Sequence, residues 1–152
     1  MKILSGILAV ILALAPVVSG ADLILSGAWT ERLTALRLAP VAGSKLQGHI
    51  ESFSGATVLS ISNAPGHWTL RAHLSGAESQ NGVAIYIKRT SNGGGSGAIS
   101  GGESYVQLTT AETELFRGEG SRRNISLQFK LAGFSAHVLP ATYLSSITYT
   151  VQ

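Results

Sequence analysis

Beyond residue 22 apolar and polar side chains alternate with a period of two over most of the chain, the spacing that a strand with one buried face requires. Trp68, Leu70, Ala72 and Leu74 alternate with Thr69, Arg71 and His73, and Ile125, Leu127, Phe129 and Leu131 alternate with Ser126, Gln128 and Lys130. Val83, Ile85 and Ile87 share a face opposed by Tyr86 and Lys88, while Tyr143, Ser145, Ile147, Tyr149 and Val151 form a closing series. Leu23, Leu25, Gly27 and Trp29 alternate with Ile24, Ser26 and Ala28 in a first strand that is apolar on both faces. Weaker strand patterns cover residues 45–53, 57–61, 105–108 and 114–117. One helix candidate, residues 31–38, has Leu33, Leu36 and Arg37 at partial helical spacing and is cut short by Pro40.

Turn compositions separate these runs: Asn63-Ala64-Pro65-Gly66, Ser75-Gly76-Ala77, Gln80-Asn81-Gly82, Gly118-Glu119-Gly120-Ser121 and Gly133-Phe134-Ser135. With 18 glycines in 152 residues, tight turns are accessible throughout. Eight or nine strands with a turn every 8–12 residues or so predict an all-β fold, a single antiparallel β-sandwich of immunoglobulin-like or jelly-roll-like form. The low-complexity stretch at residues 91–102, SNGGGSGAISGG, would as a linker leave two pieces too small for separate cores. It reads instead as a mobile loop joining two strands of one sandwich.

The amino terminus has a different character. Lys2 precedes an apolar run over residues 3–18, Pro16 breaks it, and Ser19-Gly20-Ala21 supplies the small side chains of a signal-peptidase site. The run is shorter than the roughly 20 residues of a membrane span and no basic stop follows it, so no span is expected after cleavage. Residues 1–21 are therefore expected to be a cleavable signal peptide and residues 22–152 the β-sandwich domain of a secreted protein, placed outside the cell, on its surface or in the periplasm. No cysteine is present, which excludes disulfides, thiolate metal sites and a thiol nucleophile.

The second half, from APGHWTLRAHL through GVAIYIKR and LTTAETELFRGEGSRRNISLQFKL to the closing PATYLSSITYTVQ, resembles immunoglobulin-like sandwich modules of secreted bacterial surface proteins and pilus-type subunits. The resemblance lies in the closing segment, where a Pro, a small residue, Thr and Tyr precede an alternating strand. It implies a building block or adhesive module. Many pilus subunits carry a disulfide, which this chain cannot.

No constellation for chemistry emerges. His49, His67, His73 and His137 show no metal-ligand spacing, and Asp22 is the single Asp. The glutamates fall mostly near turns, with no reason to prefer any pair as a glycosidase dyad. There is no G-x-S-x-G, no calcium loop, and no Lys-Ser/Thr after the glycines at 93–97. The chain is expected not to be an enzyme and to need no cofactor or metal. Eleven Lys and Arg against eight Asp and Glu, spread along the chain, are too few for a nucleic-acid footprint. Asn124-Ile125-Ser126 matches a glycosylation acceptor, of consequence only in a eukaryotic secretory route.

Two functional expectations follow. The first is a structural or adhesive surface subunit, of pilus or fimbria type, assembling with itself or another surface protein through an apolar first strand marked by Leu23, Leu25 and Trp29. The second is a carbohydrate-binding module contacting a glycan through Tyr86 and Tyr105 and the loop at residues 91–102, with Trp68 assigned to the core by its phase.

Overall fold

The computed structural model describes residues 5–14, 20–34, 48–75, 82–134 and 142–152. They form thirteen strands: β1 (Ser5–Leu14), β2 (Asp22–Ser26), β3 (Trp29–Thr34), β4 (His49–Glu51), β5 (Thr57–Ser62), β6 (His67–Ser75), β7 (Ala84–Arg89), β8 (Gly94–Gly95), β9 (Ile99–Ser100), β10 (Val106–Leu108), β11 (Thr113–Glu119), β12 (Arg122–Ala132) and β13 (Thr142–Val151). No described residue lies in an α-helix. The first sheet runs β3-β1-β13-β6-β11-β9, and the second runs β10-β7-β12-β5-β2 with β4 and β8 also on β12. All pairings are antiparallel except β1 with β13, which is parallel.

The two-sheet, all-β class expected from periodicity is the one found, and the phase of each main strand explains it. In β12 Ile125, Leu127, Phe129 and Leu131 are buried while Ser126, Gln128 and Lys130 keep partial exposure. In β6 Trp68, Leu70, Ala72 and Leu74 point inward, so Trp68 is a core residue as its phase predicts. Both series meet Ile147, Tyr149 and Val151 of β13 in one apolar cluster. Trp68 fixes its edge by donating Nε1–H to Gly120 O at 2.8 Å and meeting Phe116 edge-on.

The strand count exceeds the expected eight or nine, and the excess has local causes. Two of the added strands, β8 and β9, are only two residues long, below what a periodic pattern can register, and β1 falls in the segment expected as an export leader. The expected first strand over residues 23–29 is two strands. Gly27 adopts φ +93° between them, and a Cβ there would lie 3.3 Å from the Ala56 carbonyl carbon with its oxygen closer still. The chain turns this corner and changes sheets, β2 lying on β5 and β3 on β1. The helix candidate is likewise corrected: residues 31–34 belong to β3, where the ladder with β1 overrides partial helical spacing, and residues 35–38 lie outside the described residues.

The glycine-rich stretch at 91–102, expected as a mobile loop, is built into both sheets. Gly94 and Gly95 pair with Arg123 and Arg122 of β12, and Ile99 and Ser100 pair with Gly118 and Arg117 of β11. Its ends are tied by Arg89 N–H to Gly102 O (2.6 Å) and by Ser126 N–H to Ser91 Oγ (3.0 Å). Glycine serves close approach here: at Gly95, with φ +145°, any Cβ would run into the Ser121 carbonyl oxygen.

Candidate functional site

The side chains that gather most chemistry lie on the outer face of the second sheet. Because β12 points Gln128 and Lys130 away from the core, antiparallel register sets them in rows with their neighbours. Glu51 of β4 stands opposite Lys130, Lys130 opposite Tyr86 of β7, and Tyr86 opposite Gln107 of β10. In the adjacent row Gln128 stands opposite Lys88. Tyr105, immediately before β10, is drawn into the same group. Lys130 Nζ lies 4.7 Å from the Tyr86 ring centre and 4.3 Å from that of Tyr105, and Lys88 Nζ lies 4.4 Å from Tyr105.

Tyr86 and Tyr105, the two residues singled out for ligand contact, thus share one patch through Lys130. The arrangement alters what they can do. A ring stacks on a neutral pyranose through an open face, whereas here ammonium groups lie over both rings. Tyr105 is further marked by its hydroxyl, which is buried without a hydrogen-bond partner. Burial, and then the negative charge of Glu51, hold this phenol protonated far into the alkaline range. Glu51 also faces Gln128 Nε2 at 3.5 Å and His49 Nε2 at 3.9 Å. Among the described residues neither Lys88 nor Lys130 forms an ion pair.

Of the three residues read as an assembly strand, Leu23 and Trp29 are buried in this chain's own core and Leu25 is half-buried against it. Leu23 opposite Ile61 and Leu25 opposite Leu59 belong to the β2–β5 ladder. Trp29 is only 5 % exposed and stacks on Phe129, with ring centres 6.3 Å apart and planes 10° from parallel. The outward residue of β2 is Ile24, 60 % exposed. At the far end of the first sheet β1 bridges two strands, with Ile7 to Leu14 beside Thr142 to Tyr149 of β13 and Ser5 to Val10 beside Thr34 to Trp29 of β3. Just ahead of β2, Ala21, Pro65, His67, Trp68 and Gln152 line an open cleft of about 340 Å³.

Two arginines escaped the sequence reading. Arg89 (4 % exposed) and Arg122 (7 % exposed) hold the glycine-rich stretch from inside. Arg89 donates Nε–H and Nη2–H to Gly101 O at 2.9 and 2.8 Å, Nη1–H to Asn92 Oδ1, and Nη2–H to Glu103 at 3.1 Å. Arg122 donates to Asn92 O at 3.3 Å and to Gly97 O, with its Nε–H buried and unpartnered. The signal was available for Arg89, which shares the phase of Ile85 and Ile87. For Arg122 a register shift between Arg122 and Ile125 hides it.

The remaining candidates stay apart. His49 and His67 are exposed, His73 lies on the Arg71 face of β6 with its Nδ1 buried and unpartnered, and His137 is outside the described residues. Among the described residues no three His, Asp or Glu side chains come together as a metal site. No described helix is long and apolar enough to cross a membrane. The site and fold define an all-β protein of two facing sheets with a cationic, aromatic outer face. No protein-family model matches this sequence, and no curated protein is significantly similar to it.

Proposed function

We propose that the mature chain, residues 22–152, is a secreted structural or adhesive surface subunit, of pilus or fimbria type, that assembles through strand edges. One observation carries this reading. The apolar segment with the pattern of an export leader is the same segment that, as β1, lies between β3 and β13. Cleavage after Ala21 removes it and opens the edge of β13 along the length of Ile7 to Leu14, a row of backbone donors and acceptors that a strand from another molecule can complete. The first mature strand, β2, borders the second sheet with one edge on β5 over only five residues, so on this reading the longer edge freed along β13 is the assembly element.

The test uses residues 22–152, measured by native mass spectrometry and by hydrogen exchange across a concentration series. Multimers whose formation protects the amides of β13 support the reading. A strict monomer with β13 fully protected at all concentrations overturns it, because β3 would then have closed directly onto β13.

A further inference from the structure

We infer that the outer face of the second sheet is a binding site for an acidic polysaccharide, with Lys88 and Lys130 as its cationic contacts. This goes beyond strand-edge assembly and rests on different residues. Three features of the patch lead there.

The first is uncommitted charge. Lys88 and Lys130 are diagonal neighbours in the β7–β12 register, a placement that sets their Cβ atoms on the order of 7 Å apart, and both ammonium groups reach the ring of Tyr105. Like charges so placed repel unless a counter-ion lies between them. Instead each is held over a tyrosine ring and neither has a carboxylate partner among the described residues. Contact with the rings fixes where the ammonium groups sit without neutralising them, so an incoming anion meets cations whose side-chain freedom is already reduced.

The second is the surrounding chemistry. Gln107 is exposed beside Tyr86 and offers its amide to solvent next to the cations, while the half-buried Gln128 opposite Lys88 donates its Nε2–H to Ser52 O at 2.8 Å and braces the patch from below. Ring edges, an amide and ammonium groups side by side on one sheet face suit a chain of hydroxyl-bearing rings that also carries carboxylate or sulfate.

The third is magnitude. Nucleic acid calls for a clustered basic face, and an anionic membrane for four to eight Lys or Arg in a group. Two lysines next to one glutamate supply too little charge for either and enough for a charged saccharide unit. Glu51, opposite Lys130, is the element that opposes the anion.

Binding is read by calorimetry with polygalacturonate, dextran sulfate and uncharged dextran, and with single-stranded DNA and phosphatidylserine vesicles as competing anions, at low and at physiological salt. The expected result is binding to one or both acidic polymers, none to dextran, and weakening with salt. Lys88→Gln with Lys130→Gln should reduce affinity at least tenfold while the thermal melt is retained. Glu51→Gln should strengthen it, and this variant keeps the test decisive if the double variant is unstable. Affinity unchanged in both variants, binding to none of the three polymers, or equal binding of single-stranded DNA or anionic vesicles overturns the inference.

Discussion

Two stretches of this chain contradict their composition in opposite directions. Residues 91–102 are mostly glycine and serine, the makeup of a flexible tether, yet they pair with strands in both sheets and are gripped by two buried guanidiniums. Residues 22–29 are apolar and uncharged after Asp22, the makeup of a self-sufficient strand, yet they break at Gly27 and end on the border of a sheet. The difference teaches that order in this fold depends on what the backbone is laid against. A glycine chain pressed onto carbonyls takes its place through ladder pairing and charge-assisted hydrogen bonds from Arg89 and Arg122, where an alternating strand takes its place through its buried face.

That contrast can be broken by substitution. The largest effect is expected from Trp29→Ala in residues 22–152, a loss of about 4 kcal/mol in urea denaturation, since the ring fills core space against Phe129. A loss below 1 kcal/mol would mean that the first mature segment is not held by its own domain. Arg122→Ala comes next, at about 3 kcal/mol, because it strands the Asn92 and Gly97 carbonyls and empties a buried volume. If the loop were a tether the same change would be nearly silent. Gly95→Ala should cost about 2 kcal/mol through its collision with the Ser121 carbonyl, and hydrogen exchange should then show faster exchange at residues 94–100 than in the parent.

The smallest effect has the opposite sign. Tyr149 is wholly buried with an unpartnered hydroxyl, so Tyr149→Phe should stabilise by about 1 kcal/mol at neutral pH. Burial raises this phenol above its ordinary value of 10.0. The unfolded chain therefore loses the proton first, and stability that is flat below pH 10 falls as pH rises past it. Urea midpoints between pH 7 and 11 should fall less steeply in Tyr149→Phe, with Tyr105, raised in the same direction, accounting for part of the remaining slope. Identical slopes in the two proteins would show that the hydroxyl finds a partner.

Where side chains alternate, the fold was legible: β6, β7, β12 and β13 sit within a few residues of their expected positions, with the expected faces inward. What alternation cannot encode is partnership. Nothing in residues 94–95 or 99–100 announces which strand they will join, because a two-residue ladder is specified by its neighbours and by the absence of a Cβ. The corner at Gly27 was hidden for a related reason, since both of its arms keep the same apolar rhythm. Of the candidate site, Tyr86 was found by being out of phase with Ile85 and Ile87. The lysines were missed because their meaning comes from cross-strand register, which places Lys130 beside residues 44 and 25 positions away in Tyr86 and Tyr105.

The zipped glycine-rich stretch has a consequence for resistance to proteolysis. Proteases cut segments that can be drawn out as extended chain into their clefts, and exposed Gly-Ser loops are ordinarily the first to go. Here residues 94–98 are exposed, but drawing them out as extended chain means parting two short ladders and releasing the Arg89 and Arg122 contacts. Nicking is thereby tied to opening of the fold itself, and a stretch with the composition of a weak point gains the lifetime of the core.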